Sequence, residues 1–195
     1  MCYESSLRWI LQHGAELNVV SNPRLVGSCA NRVTPFSEAA LDGHILSMEI
    51  LLEFGAELDS LAVFHAVRWR RRTMETLRFL VDKGADVNAV ARKWGTPLFH
   101  AVHWSNKDAV EVLLECGADP DVVWIGGTAA EIARRYERVG LAEMLEAKMK
   151  RRSRRTRGVG ISPAEGLRVP GHRLETDYWV QLLASEQRTT AKMSH

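Results

Sequence analysis

Cysteine is scarce in this chain, which has only Cys2, Cys29 and Cys116 among 195 residues. Their number is odd, their spacing is wide and no CxxC pair occurs, which argues against both a disulfide framework and a zinc site. Few, widely separated thiols are typical of proteins in a reducing compartment. We therefore expect a cytosolic or nuclear protein.

Long apolar runs are also lacking. The longest extend over only a few residues, far short of the ~20 that are needed to cross a bilayer. Residues 1–20 contain no charged start followed by an apolar block, which is the pattern of a secretory signal. The sequence therefore predicts neither a membrane span nor an export signal.

Catalytic signatures are absent as well. The chain has no Gly-rich phosphate loop, no GxSxG, no HExxH and no paired Cys/His motif. His100 and His103 are three residues apart and Cys116 follows in the same segment, but no further ligand completes a tetrahedral set. We predict no enzymatic activity, no bound metal and no cofactor.

The net charge of +2 conceals a difference between two parts of the chain. Residues 1–147 contain 15 Lys/Arg against 20 Asp/Glu, a net charge of −5, whereas residues 148–195 contain 11 against 4, a net charge of +7. The repeats are therefore mildly acidic and the tail is basic, and the two parts are considered separately when partners are assigned.

What the chain does contain is a repeat. The tripeptide Gly-Ala-Asp/Glu begins at Gly14, Gly55, Gly84 and Gly117, with spacings of 41, 29 and 33 residues. Each copy follows an apolar run such as ILLEF or VLLEC. Recurrence near 33 residues indicates stacked pairs of helices, and such stacks usually present a binding surface rather than a reaction centre.

The unit that begins at Gly95 shows how one repeat is built. Thr96 can cap a helix N-terminus, and Pro97 suits the first helical position because its missing N–H would be unpaired there anyway. Two apolar stripes at helical spacing follow, and Gly117 can supply the left-handed residue that ends the second helix. Each unit is therefore predicted to be helix, turn, helix and outward loop.

The segments TPLFHA and LLECGADPD resemble the ankyrin repeat, whose pattern includes TPLHxA and LLxxGADxN. The resemblance covers roughly residues 5–147 and implies an all-α, ankyrin-type helix-turn-helix solenoid with short hairpin loops, in which the first helices line a concave face. We expect the following divisions: a half repeat at 1–18, units at 19–59, 60–88 and 89–121, a capping repeat at 122–147, and a basic, largely disordered tail at 148–195.

Two irregularities interrupt the pattern. The first unit lacks its first helix, so Trp9 and Ile10 are expected to have no covering neighbour, and we interpret the chain as a truncated member of a longer repeat lineage. The connection after Asp59 is short, which predicts a missing hairpin finger beside an arginine-rich loop at 70–72.

The resemblance also implies which side chains face a partner. Aligned first helices place Glu38, His65 and His100 at one outward position, and Asp42, Trp69, Trp104 and Tyr136 four residues later. Aromatic side chains on a concave face are frequent interface residues. Trp69 and Trp104 can equally pack flat between neighbouring helices, so both interpretations stay open.

Two further tryptophans fall in the predicted hairpin tips. Trp94 precedes Gly95 and Trp124 precedes Gly126, where burial is difficult, so we expect both to contact a partner. The sequence thus predicts a monomeric, noncatalytic interaction module or scaffold with a protein partner. The alternative is a nuclear regulator that attaches to nucleic acid or chromatin through its basic tail.

The tail begins with KMKRRSRRTR, whose cations are Lys148, Lys150, Arg151, Arg152, Arg154, Arg155 and Arg157. Three interpretations are open: a solvated, mostly disordered extension that briefly continues the last helix, a nuclear-import signal, or attachment to nucleic acid or anionic lipid. No aromatic residue is interleaved, so stacking on single strands is unsupported. A Gly/Pro-rich linker then precedes a segment that is compatible with a short amphipathic helix at 174–186.

Overall fold

A computed structural model describes residues 3–20, 33–68, 72–91, 94–124 and 126–157. These ranges contain nine helices and one two-stranded hairpin. Their bounds are α1 Tyr3–Gln12, α2 Pro35–Asp42, α3 Ile45–Glu53, α4 Ala62–Ala66, α5 Thr73–Asp82, α6 Pro97–His103, α7 Lys107–Glu115, β1 Val123–Trp124, β2 Gly127–Thr128, α8 Ala129–Arg135 and α9 Val139–Arg157.

The helices form two layers of stacked pairs. The first helix of each pair packs on the first helix of the next, so that α2, α4, α6 and α8 follow one another in one layer. In the other layer α1 packs on α3, and α5, α7 and α9 follow one another. The expected all-α helix-turn-helix solenoid is confirmed. We call the open side of the α2, α4, α6 and α8 layer the inner face.

Three of the described helices begin at a threonine N-cap, and two of these threonines make the cap hydrogen bond. Thr34 and Thr128 form capping boxes with Ser37 and Glu131, and proline stands at the start of α2. Thr96 is also an N-cap residue, with φ −93° and ψ 163°, but its side chain makes no cap hydrogen bond. Its buried hydroxyl lacks a hydrogen-bond partner. The position of the Thr96 cap was predicted correctly, and its side-chain bond was not.

The Gly-Ala-Asp/Glu turns end the second helices as predicted. Gly14, Gly55, Gly84 and Gly117 all have positive φ, between 86° and 93°. The turn of one unit is then joined to the turn of the next by an asparagine amide. The Asn88 Oδ1 accepts a 2.8 Å hydrogen bond from the Asp119 N–H.

Asn18 makes the equivalent bond, in which its Oδ1 accepts from the Glu57 N–H at 3.1 Å. The last residue of the Gly55 turn is Asp59 instead of asparagine, and it contacts the start of the next helix and the N-cap of α2. Its Oδ1 accepts from the Leu61 N–H and its Oδ2 from the Thr34 hydroxyl. Helix α4 therefore begins at once, at Ala62, and the described residues between Asp59 and Ala62 form no hairpin, in agreement with the predicted missing finger.

One continuous hydrophobic core runs along the stack from Phe36 in α2 to Leu145 in α9. At its N-terminal end Trp9 and Ile10 on α1 are 60% and 49% exposed, as their lack of a covering neighbour predicts. At the other end α9 continues without a break through residue 147 to Arg157. The first part of the basic run therefore extends the last helix, as one of its three interpretations expected, and the division into units and tail stays a prediction.

Candidate functional site

His100 lies at the centre of the inner layer and joins two units. Its Nδ1 lies 3.0 Å from the Phe64 carbonyl oxygen of α4, and its Nε2 lies 3.0 Å from the indole Nε1 of Trp104. A carbonyl can only accept and an indole N–H can only donate, so Nδ1 carries the proton and Nε2 accepts. The His100 ring is therefore neutral, and both of its nitrogens are engaged in hydrogen bonds.

Burial favours that neutral state strongly. Desolvation, together with the smaller effect of the nearby His103, lowers the pKa of His100 from 6.5 to about 3. His103 itself has its pKa lowered to about 4 by burial and by Arg138. Both imidazoles are therefore uncharged at neutral pH and act as fixed polar rings within the stack.

The outward orientation predicted for His65 and His100 is wrong, because both side chains are buried, at 4% and 6% exposure. His100 faces the preceding unit, where the Phe64 carbonyl is available to it. His65 packs edge-on against the Trp94 ring, with centroids 6.2 Å apart. Burial lowers the pKa of His65 despite the opposing effect of Asp59.

The two tip tryptophans are less accessible than expected. Trp94 is half-buried because it stacks on His100, with centroids 4.9 Å apart and planes 16° from parallel. Trp124 is only 8% exposed, so the expectation of an exposed ring there is wrong. The physical reason lies in Gly95, where a Cβ would fall 2.8 Å from Trp124 Cγ. The missing side chain lets the indole pack on the preceding hairpin tip.

Among the residues that the structure describes, Trp104 and Tyr136 are two aromatic side chains of the inner layer that keep part of their surface exposed. Both are half-buried, and each lies beside a guanidinium: Arg68 is 5.2 Å from the Trp104 ring and Arg138 is 5.2 Å from the Tyr136 ring. His103 lies between them, with centroid distances of 5.3 Å and 6.4 Å. Trp104 was expected either to pack between neighbouring helices or to face a partner. It is hydrogen-bonded within the stack and is still partly exposed to solvent.

Arg138 contacts both Tyr136 and the end of α6. Its Nη1 donates to the carbonyl oxygens of Val102 and His103 at the C-terminal end of α6, the latter at 2.6 Å. It thereby places a cation at the C-terminal end of α6, where the Val102 carbonyl also accepts from the Ser105 N–H. The sequence gives no indication of this role for Arg138. A cation 36 residues from its acceptor gives no local signal.

The remaining predicted positions divide into two groups. Glu38 and Asp42 are exposed on α2, where they make that end of the inner face acidic. Trp69 lies outside the described residues, as do Arg70 and Arg71 of the arginine-rich loop. The structure therefore brings together Arg68, Trp104 and Tyr136, with the two carboxylates further along the same layer.

The basic run lies on the second half of α9. Lys148, Lys150, Arg151 and Arg154 are exposed, and Arg155 and Arg157 belong to the same helix. Arg152 instead contacts the Gly117 turn, with its Nη1 2.5 Å from Asp119 Oδ1 and its Nε 3.9 Å from Asp121 Oδ2. Burial and Asp119 raise the pKa of Asp121, and Arg152 opposes that shift.

The described residues lack two features that are typical of other classes of protein. Within the ranges given above, no group of three or more His, Cys, Asp or Glu side chains is arranged to hold a metal ion. None of the helices in those ranges has the length and apolar character that crossing a membrane requires.

Stacked helix pairs closed by left-handed glycines define a helical repeat protein. Residues 37–124 match the family model described as ankyrin repeats, in three copies. That part of the chain is similar to an array of ankyrin repeats, and such arrays generally serve as protein-interaction modules.

The chain is also similar to ankyrin repeat protein nuc-2 of Neurospora crassa. The two are 31% identical over 119 residues, which cover 58% of this chain and 10% of that protein. The chain thus spans about a tenth of the length of this relative.

Proposed function

We propose that this chain is a noncatalytic protein-interaction module that binds a protein partner through its inner face and hairpin tips. The observation that carries the proposal is Trp104, which is half-buried, with its indole N–H hydrogen-bonded to His100 and its ring beside Arg68. A ring that is already fixed loses little conformational entropy on binding. Trp and Tyr are also the residue types that contribute most to interface affinity.

Charge along the inner face supports a partner of mixed charge. Glu38 and Asp42 are exposed on α2. Arg68 follows α4, and the exposed Arg135 is the last residue of α8. A partner would place cationic groups opposite α2 and acidic groups opposite Arg68 and Arg135. By its position in the aligned repeats, Trp69 would add to the same aromatic column as Trp104.

A catalytic role has little support from the chemistry of this face. Acid–base catalysis by His100 would require a nitrogen that is free to exchange a proton with a substrate. Both nitrogens of His100 are hydrogen-bonded, and its pKa of about 3 keeps the ring neutral. His65 is equally buried. The family to which the repeats belong is typically noncatalytic.

Affinity capture from a native cell extract tests the proposal, with bound proteins quantified by mass spectrometry. The Trp104→Ala/Tyr136→Ala variant should lose the proteins that the unaltered chain retains. Loss of an interface aromatic typically costs about 2 kcal/mol or more, which is roughly 30-fold in affinity for each ring. Trp9→Ala is the matched control, because Trp9 is an exposed indole on α1, in the other layer.

A second pair of variants leaves the His100 network intact. Glu38→Lys/Asp42→Lys reverses two exposed charges on α2, and Glu49→Lys/Glu75→Lys reverses two exposed charges on α3 and α5. The first should reduce capture and the second should not. If both aromatic and acidic inner-face variants retain every protein that the controls retain, while their helical circular dichroism is unchanged, the proposal is refuted.

A further inference from the structure

The second half of α9 is a cationic helix that is already folded. Lys148, Lys150, Arg151 and Arg154 are exposed there, and no Asp or Glu follows Glu146 until Glu165. Lys and Arg have good helix propensity, which favours the continuation of α9 through the basic residues 148–157. The cations are therefore displayed on an ordered scaffold, and binding would not have to order them first.

Two contacts hold this helix against the repeat stack. Met149 packs partly buried against the hydrophobic core. Three residues later Arg152 makes a two-point contact with Asp119, in which Nη1 and Nη2 lie 2.5 Å and 3.4 Å from the carboxylate oxygens. Residues 149 and 152 share one side of a helix. Lys150 and Arg154 lie on the side of α9 away from these contacts. Lys148 and Arg151 border a pocket that Glu111 and Glu115 of α7 also line.

Helical geometry sets the spacing of those cations. At 1.5 Å per residue, Lys148 and Arg154 are about 9 Å apart along the axis. Lys148 and Arg151 form one row, at i and i+3, while Lys150 and Arg154 form a second, at i and i+4. A duplex offers one phosphate charge per ~1.7 Å of its axis, and its major groove, ~12 Å wide, admits an α-helix. Two rows of cations on one helix can therefore reach phosphates on both sides of the groove.

We propose that the cationic end of α9, residues 148–157, binds double-stranded nucleic acid through its phosphates, independently of the inner face. Contacts to phosphate carry no sequence information, so binding should be nonspecific. An anionic membrane fits less well. Helices that bind membrane surfaces insert an apolar side, whereas Met149 is packed on the core. Single strands also fit less well, because their binding depends on stacked aromatic rings.

Fluorescence anisotropy with a labelled 20-base-pair duplex and the full chain tests this directly. Four phosphate contacts predict a slope of about −3.6 for log affinity against log salt, or roughly a 150-fold loss between 50 and 200 mM. Arg151→Glu/Arg154→Glu should reduce the slope to about −1.8 and weaken binding at 50 mM salt by at least ~100-fold. Lys83→Glu/Lys107→Glu makes the same change in net charge at exposed positions elsewhere and should weaken binding far less.

A second variant separates a folded helix from a flexible basic chain. Ser153→Pro keeps every charge but interrupts α9, so it should lower affinity roughly 10-fold while circular dichroism reports the lost helix. Equal affinity for this variant would overturn the proposal. So would equal losses in the two charge-reversed variants, or tighter binding to single strands. Vesicles of phosphatidylserine and phosphatidylcholine provide the last comparison, and tighter binding to them than to the duplex would also overturn it.

Discussion

Replacement of Gly95 by alanine should destabilise the stack through one identifiable contact. Gly95 has φ +69°, and a Cβ built on it would lie 2.8 Å from Trp124 Cγ and 2.9 Å from Trp124 Cδ1. Those distances are shorter than any normal van der Waals contact, and Trp124 is 8% exposed, with little space to move. The Gly95→Ala variant must therefore displace a buried indole as well as strain its own backbone.

The two costs can be separated with a matched glycine. A left-handed conformation costs an L-residue about 1–2 kcal/mol, and an overpacked core costs about 1–3 kcal/mol more. Gly95→Ala should therefore lower the free energy of unfolding by about 2–5 kcal/mol. Gly117 has φ +93°, and no heavy atom lies within 4 Å of a Cβ built there. Gly117→Ala should show the backbone cost alone.

Urea unfolding, followed by circular dichroism at 222 nm, measures the free energy of unfolding of both glycine variants. Each is made in the unaltered chain and in the Trp124→Ala background. In that background the clash is removed, so the cost of Gly95→Ala should fall to that of Gly117→Ala. Equal costs for the two glycines in the unaltered chain would refute the proposed contact between the hairpin tips. An unchanged cost of Gly95→Ala after removal of the Trp124 ring would refute it equally.

Two further predictions concern the buried polar groups. The pKa values of His100 and His103, about 3 and about 4, lie below the ordinary value of 6.5, so their contribution to stability is complete above about pH 6.5 and is lost as pH falls towards these values. The free energy of unfolding should fall with decreasing pH by up to about 1.4 kcal/mol per pH unit for each imidazole. The urea midpoints of the unaltered chain and of His100→Gln should therefore converge as pH falls from 7 to 4.5. Parallel pH profiles for the two would contradict a lowered pKa for His100. Asn106→Ala should cost about 2–3 kcal/mol, because the Asn106 side chain donates to the Val67 carbonyl and accepts from the Ala109 N–H. The exposed neighbour Lys107→Ala should change stability by less than about 0.5 kcal/mol, and similar unfolding midpoints for these two variants would count against the structural role of Asn106.

Features with a local cause were predictable from the sequence. The left-handed glycines at the ends of the second helices follow from residue type and position, and so does Pro97 at the start of α6. The missing hairpin after Asp59 follows from counting residues between equivalent positions. The exposed acidic positions Glu38 and Asp42 also follow from helical register.

Features that depend on contacts between units were not predictable in the same way. Trp124 is buried because Gly95, 29 residues earlier, leaves room for its ring. Arg138 bonds to carbonyls of the preceding unit, and His100 turns towards the Phe64 carbonyl instead of outwards. The basic run has the composition of a disordered tail, yet Arg152 and its partner Asp119, 33 residues away, help to hold it as helix. None of these partners is visible in a pattern of apolar spacing.

Side-chain footprinting of the chain with a captured partner tests the central claim most directly. Oxidative labelling, read by mass spectrometry with and without the partner, reports the solvent exposure of each aromatic ring. The inner-face account predicts that labelling of Trp104 and Tyr136 falls on binding while labelling of Trp9 is unchanged. Unchanged labelling of Trp104 and Tyr136 in a saturated complex would contradict it.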